Sequence, residues 1–218
     1  MEKSILVFDL DGTLVDSITD IRLAVEAAVS DLELGPLSDE LVERFVGRGL
    51  KNTLKGLLAH FDISVDEAEL LERLERLMEY YRSHPVLRTR PYAGMEELLW
   101  WAEGRGHPLG VLSNKEDGLV KEIVETLFPT TAFHVVRGMR TGAAAKPDPR
   151  ALDEFRHNDL PMLYIGDSEV DWQFATQAAV PALLVTWGLR PRAELEQLAG
   201  ARLIDSVDEL QEAIDGIQ

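Results

Sequence analysis

Cysteine is missing from all 218 residues, which excludes disulfide frameworks, thiolate metal centres and cysteine nucleophiles. Positive charge is scarce as well. Lysine and arginine number 22 against 39 acids, a net charge of −17, so no basic excess exists to neutralise nucleic acid or an anionic membrane. No apolar stretch approaches the length of a bilayer span and no secretory signal is visible. The expectation is a cytoplasmic protein with no nucleic-acid and no membrane partner. His60, His84, His107, His134 and His157 are scattered without metal spacing and read as structural or surface residues. Gly47-x-Gly49-x-x-Asn52 is no dinucleotide fingerprint, since no strand precedes it and its third glycine is missing. Gly142 is followed by alanine where a Walker A motif needs Lys-Ser or Lys-Thr. There is no internal repeat, low-complexity stretch or flexible linker.

What is present suits a globular α/β chain. The hydrophobic fraction is 45%, and the length fits one domain or a core with a modest insertion. The most informative stretch runs from Ile5 to Ser17. Ile5, Leu6, Val7 and Phe8 read as a short strand buried on both faces. Asp9 and Asp11 follow at its carboxyl end, and Gly12 allows a sharp turn there. Two neighbouring acids repel each other unless a cation or a shared proton compensates. Mg²⁺ is the simplest such cation, because it prefers carboxylate, carbonyl and water oxygens. A surface turn with two solvated acids is the alternative.

Between Asp16 and about Arg82 the apolar spacing is helical throughout. One stripe carries Ile21, Ala24, Val25, Ala28 and Val29. A second helix opens at Ser38, a third follows Gly47-Arg48-Gly49, and Asp66 begins a fourth. From Pro91-Tyr92-Ala93-Gly94 onward, strands and helices alternate as in a parallel sheet. Expected strands are 109–112, 133–136, 162–165, 182–186 and 202–204; expected helices lie near 95–105, 116–127, 149–157, 169–178, 191–199 and 206–214. Of Trp100 and Trp101, one is expected to face inward.

Three further strand ends carry polar groups. Ser113, closing Val111-Leu112, can donate to a phosphoryl oxygen, although Ser113-Asn114 also suits a helix cap. Lys146, set between alanines and Pro147-Asp148-Pro149, offers a positive charge at a stiffened place, or is a solvated loop lysine. Asp167 and Asp171 stand one helical turn apart after Ile165-Gly166, where Asp-Ser also makes an ordinary cap.

Asp9-Leu10-Asp11-Gly12-Thr13, Ser113, Lys146-Pro147-Asp148-Pro149 and Gly166-Asp167-Ser168-x-x-Asp171 stand in the order of the four motifs of the haloacid dehalogenase-like superfamily. The chain resembles its phosphatases with an α-helical cap, and within them the phosphoglycolate phosphatase-like group, over nearly its whole length. Val185-Thr186-Trp187-Gly188 resembles that group too; Ala179, where relatives place glycine, departs from it. The resemblance implies a Rossmann-like parallel-sheet core (1–15 and 88–218) with an inserted helical cap subdomain (16–87). It implies a Mg²⁺-dependent hydrolase of small phosphorylated metabolites, in which Asp9 is the nucleophile and Asp11 the acid and base. Asp9, the carbonyl of Asp11 and Asp167 would hold the ion, with Asp171 supporting them. Ser113 and Lys146 would fix the phosphoryl group, and Thr13, Asn114 and Arg48 would bind substrate. Asp11 argues against a dehalogenase, which needs no proton for a halide. A sugar phosphomutase and a catalytically silent binding module are the alternatives, and the assembly is expected to be a monomer or homodimer.

Overall fold

Alternation along β1 (Ile5–Phe8) sets the architecture. Leu6 and Phe8 enter one apolar cluster, Ile5 and Val7 another, so this strand is covered on both faces. In the computed structural model, which describes residues 3–216, the chain forms a six-stranded sheet. The other strands are β4 (Leu109–Glu116), β5 (Phe133–Met139), β6 (Met162–Gly166), β7 (Ala182–Val185) and β8 (Arg202–Ile204). Their order is β5-β4-β1-β6-β7-β8, with every neighbouring pair parallel. Three helices, α5 (Met95–Gly104), α6 (Asp117–Leu127) and α9 (Val207–Asp215), cover the Leu6 face. A 3₁₀ helix (Pro149–Phe155) and α7 (Glu169–Ala178) cover the Val7 face. The short α8 (Arg192–Leu195) completes this part. The result is the expected α/β fold with a Rossmann-like parallel sheet.

The chain departs from this core through β2 (Val15–Asp16) and returns through β3 (Arg90–Pro91), which pair antiparallel. Between them lie α1 (Ile18–Ala28), α2 (Asp39–Glu43), α3 (Leu50–His60) and α4 (Glu67–Ser83). They bury a hydrophobic cluster that includes Ile21, Val25, Leu54, Leu57, Leu77 and Tyr81. Ser38 and Asp66 cap α2 and α4, accepting from the backbone N–H of Leu41 and Glu69. Asp20 ties the two crossings together. Its buried carboxylate accepts from the backbone N–H groups of Leu87, Arg88 and Thr89 and, at 2.6 Å, from the Thr89 hydroxyl. Entry and exit of the helical segment are thus fixed to each other by one satisfied side chain.

Several local expectations shift. β4 runs on through Ser113, Asn114 and Lys115, because its pairing with β5 continues past an irregularity to Glu116. The helix expected near 149–157 is a 3₁₀ helix capped by Asp148, and the one near 191–199 shortens to α8. Ala179 does adopt the left-handed turn, at φ 53°, a conformation that costs an alanine about 1 kcal/mol relative to glycine. Trp100 is exposed, whereas Trp101 packs against the core. Among the described residues, no helix is long and apolar enough to cross a membrane.

Candidate active site

β1 lies between β4 and β6, the place where strand order reverses. Open α/β sheets bind ligands at the carboxyl ends of such strands. Asp9 emerges from β1 with its N–H still bonded to the Ile165 carbonyl at 2.8 Å, so the ladder itself fixes its backbone. Gly12 then turns at φ +83°, and a Cβ there would lie 2.2 Å from Asp167 Oδ2. Only glycine lets the β1 loop approach Asp167 so closely.

Lys146 is the hub of the charges. Its Nζ is 2.8 Å from Asp9 Oδ2, 2.8 Å from Asp171 Oδ1 and 3.0 Å from the Tyr164 hydroxyl. Burial alone would lower the lysine pKa, but the charges of Asp171 and Asp9 outweigh it and hold the pKa above its ordinary value. The acids differ in their remaining capacity. Asp171 is saturated: Oδ1 also accepts from the Tyr164 hydroxyl, and Oδ2 accepts from the hydroxyl and N–H of Ser168. Burial opposes its ionisation, yet Lys146, Ser168 and Tyr164 together hold its pKa below the usual carboxylate value. Asp9 is pushed up to about 7, chiefly by burial. Asp167 is raised well above the ordinary range by burial and by the charges of Asp171 and Asp9.

Three buried carboxylates therefore stand together, two of them paired with one lysine. One oxygen from each of Asp9, Asp167 and Asp171 lies within 4.8 Å of the others. An all-oxygen, charge-rich donor set of this kind fits a hard divalent cation. Asp171 already bonds Lys146, Tyr164 and Ser168, whereas Asp9 pairs with Lys146 and accepts from the Leu10 N–H, and Asp167 accepts from the Leu189 N–H.

Around this cluster the remaining expected residues take distinct places. Ser113 is buried on β4 at the edge of a cavity of about 470 Å³, mouth included, which Asp9, Asp11 and Asp167 also line. The Thr13 hydroxyl lies 3.4 Å from Asp167 Oδ1. The Asn114 side chain accepts from the Lys146 N–H at 3.0 Å and donates to the carbonyls of Lys146 and Gly47, both at 3.1 Å. It thereby braces the lysine loop against the helical segment. Gly47 and Gly49 line the cavity, while Arg48 between them is exposed and pairs with Glu169 at 3.4 Å.

Two residues here carry no sequence-based expectation of a role. Lys115 is buried with its Nζ 2.5 Å from Asp11 Oδ1, an oxygen that also accepts from the Ser17 hydroxyl. Burial would depress this lysine, but the Asp11 charge prevails and its pKa is raised. Arg190 follows β7 and donates to the Glu43 carbonyl at 2.8 Å, to the Val46 carbonyl, and to Glu169 at 3.0 Å. It clamps the end of α2 onto the core, where exposed helix carbonyls favour a cation. The one sequence signal for Lys115 is its place after Ser113-Asn114 at a strand end; Arg190 gives none.

The comparisons with known proteins are consistent with one another. The family model described as haloacid dehalogenase-like hydrolase matches residues 6–185. A phosphoglycolate phosphatase of Mesorhizobium japonicum is 32% identical over 196 residues, covering 88% of this chain and 86% of that protein. One from Neisseria meningitidis is 32% identical over 215 residues, covering 95% and 92%. The crystal structure of a Lactobacillus delbrueckii subsp. bulgaricus protein superposes with a TM-score of 0.87 at 29% identity, over 100% of both chains. A haloacid dehalogenase-like family hydrolase from Streptococcus pneumoniae shares the fold, with a TM-score of 0.82 at 21% identity over 97% and 98% of the two chains.

Proposed function

Because the chain belongs to the haloacid dehalogenase-like hydrolase family and is a phosphatase, we propose that it hydrolyses a small phosphorylated metabolite of the phosphoglycolate kind through an aspartyl-phosphate on Asp9. The observation that carries this reading is the buried cluster of Asp9, Lys146, Asp167 and Asp171 at the switch point of the sheet. A carboxylate oxygen of Asp9 attacks phosphorus, the bond from phosphorus to the ester oxygen breaks, and Asp11 gives its proton to the departing alkoxide. Asp11 then removes a proton from water, whose oxygen displaces Asp9 and releases inorganic phosphate. Ser113 and Lys146 hold the phosphoryl oxygens as charge accumulates on them. Asp9, the backbone carbonyl of Asp11 and Asp167 would hold Mg²⁺, which neutralises phosphoryl charge when bound. The helices of residues 16–87 act as a cap over the core formed by 1–15 and 88–218, and Arg190 and Asn114 hold it down. Arg48 would reach substrate only by leaving Glu169. We place the enzyme in the cytoplasm, as a monomer or homodimer.

Phosphate release from a panel of phosphoesters, with Mg²⁺ or with EDTA, tests this reading. Release that needs the metal and ranks short phosphorylated acids first is expected. Undiminished release in EDTA would sink the metal assignment. Release only in the presence of a sugar bisphosphate activator would favour the mutase.

Stability should follow the same charges. With Asp9 raised to about 7, the folded chain keeps a proton that the unfolded chain has lost between roughly pH 4 and 7. The contribution of Asp9 is therefore fully present below its unfolded value and is lost as pH rises through its folded one. Asp167 acts in the same direction. Since Mg²⁺ needs both acids ionised, its effect on the thermal midpoint should be larger at about pH 8 than at about pH 5. Equal gains at both pH values in a thermal-melt titration would contradict the assignment.

A further inference from the structure

The cavity contains a cation to which the proposed reaction gives no task. Lys115 lines it with a side chain only 2% exposed. Its ammonium has three N–H donors and no acceptor. Asp11 Oδ1 takes one of them at 2.5 Å, and the ring of Tyr81, from α4, covers the group at 4.7 Å from its centroid. The Tyr81 hydroxyl is itself buried with no hydrogen-bond partner among the described residues. The Lys115 ammonium thus gives one short hydrogen bond to Asp11 and otherwise faces Tyr81, so an acceptor on a bound ligand could take a further N–H.

The neighbouring cations are already engaged. Arg190 also lines the cavity, but its guanidinium is bonded to Glu169 and to the carbonyls of Glu43 and Val46. Lys146 is shared among Asp9, Asp171 and Tyr164. The nearby wall is apolar, formed by Ile21, Val46, Leu50 and Leu189. Among the described residues lining the cavity, Lys115 is the cation with donors to spare, its one hydrogen bond going to Asp11, so an anionic group on the leaving side of the substrate would meet it first.

Asp11 fixes where that group must be. If it protonates the ester oxygen, the first atoms beyond that oxygen pass beside the ammonium that holds Asp11. A carboxylate attached one carbon beyond the ester oxygen would meet it there. We propose that Lys115 is the specificity-determining residue, receiving the carboxylate of a short phosphorylated carboxylic acid. The inference rests on the hydrolase reading above and deepens it, since it assigns substrate choice to a residue of a core strand.

The test compares kcat/KM for 2-phosphoglycolate with that for 2-hydroxyethyl phosphate, which replaces the carboxylate by a neutral hydroxymethyl group. Wild type should favour the acid by at least about tenfold, the strength of one charge-assisted hydrogen bond. Lys115→Met should lower the value for the acid by about 10- to 100-fold more than for the neutral ester, with the difference in KM. Lys115→Arg, which keeps the charge, should retain part of the preference. A wild type that hydrolyses both esters without preference would overturn the role of Lys115 and leave the hydrolase reading standing, even if the Met variant failed to fold. So would an equal loss on both esters in Lys115→Met, because the lysine would then only steady Asp11. Release from neither ester by wild type would count against both readings.

Discussion

Asp9→Asn is expected to lower kcat by about 10⁴-fold or more while leaving the protein folded. The amide has nearly the shape of the carboxylate but cannot attack phosphorus, so the reaction loses its covalent route. The same change relieves electrostatic stress. Asp9 is buried, and burial already pushes its carboxyl up to about 7, so at neutral pH the site carries a charge that it disfavours. An asparagine that keeps its oxygen on the Leu10 N–H, which donates to Asp9 at 2.7 Å, turns its NH2 toward Lys146, which retains Asp171 and the Tyr164 hydroxyl as acceptors. Without metal, the thermal midpoint at about pH 8 should therefore stay close to that of wild type, the relief of the buried charge offsetting the lost pairing with Lys146. Steady-state phosphate release and a thermal melt on one preparation check both halves. A variant retaining a tenth of the wild-type rate would remove Asp9 from the reaction. One that melted far below wild type would show that Asp9 holds the fold together.

Lys146→Met is expected to behave in the opposite way and damage both properties. Among the described residues the lysine is the sole ammonium bonded to Asp9, Asp171 and the Tyr164 hydroxyl, and its side chain is 2% exposed. Removing one partner of a buried ionic group costs about 3–5 kcal/mol, because the remaining charges are stranded away from water. For a chain of this length that corresponds to a fall in thermal midpoint of the order of 10 °C. The deficit should be larger at about pH 8 than at about pH 5, since the stranded acids can take up protons at the lower pH. Activity should fall by about 10²- to 10³-fold with the loss of a charge that holds the phosphoryl oxygens. Melts at the two pH values, with phosphate release at the higher one, separate these effects. A variant as stable as wild type at both values would mean that Lys146 is not the counter-charge of the cluster.

The two substitutions differ because the sequence puts acids and bases into one site in unequal number. That inequality was visible in outline. Ile5–Phe8 reads as a doubly buried strand from its unbroken apolar run, and the later alternation of strands and helices points to a parallel sheet. Caps such as Ser38 and Asp66 are legible because they depend on a few neighbouring residues. Arg202–Ile204 is a short strand in both readings. The extension of β4 was not legible. Ser113, Asn114 and Lys115 look like the start of a loop, and they are buried only because β5 pairs beyond them and distant groups satisfy their polar atoms. Asn114 reaches Gly47 and Lys146, and Lys115 reaches Asp11, contacts spanning 67, 32 and 104 residues of sequence. Spacing within a motif carries no information about such distances. Arg190 was missed for the same reason, since its partners are the carbonyls of Glu43 and Val46 and the carboxylate of Glu169, none of them local. The meeting of Asp9 and Asp167 could be expected from strand ends, because strands of one parallel sheet deliver their carboxyl ends to one edge, whereas Lys146 comes from the loop after β5 and Asp171 from the first turn of α7.

The central claim is that phosphate passes through Asp9. It is tested most directly by mixing the enzyme with ³²P-labelled phosphoester, quenching in acid within one turnover and mapping the labelled peptide. The mechanism predicts transient, hydroxylamine-sensitive label on the peptide that contains Asp9, and none in Asp9→Asn. Full turnover with no protein-bound label at any quench time, or label retained in Asp9→Asn, would contradict it.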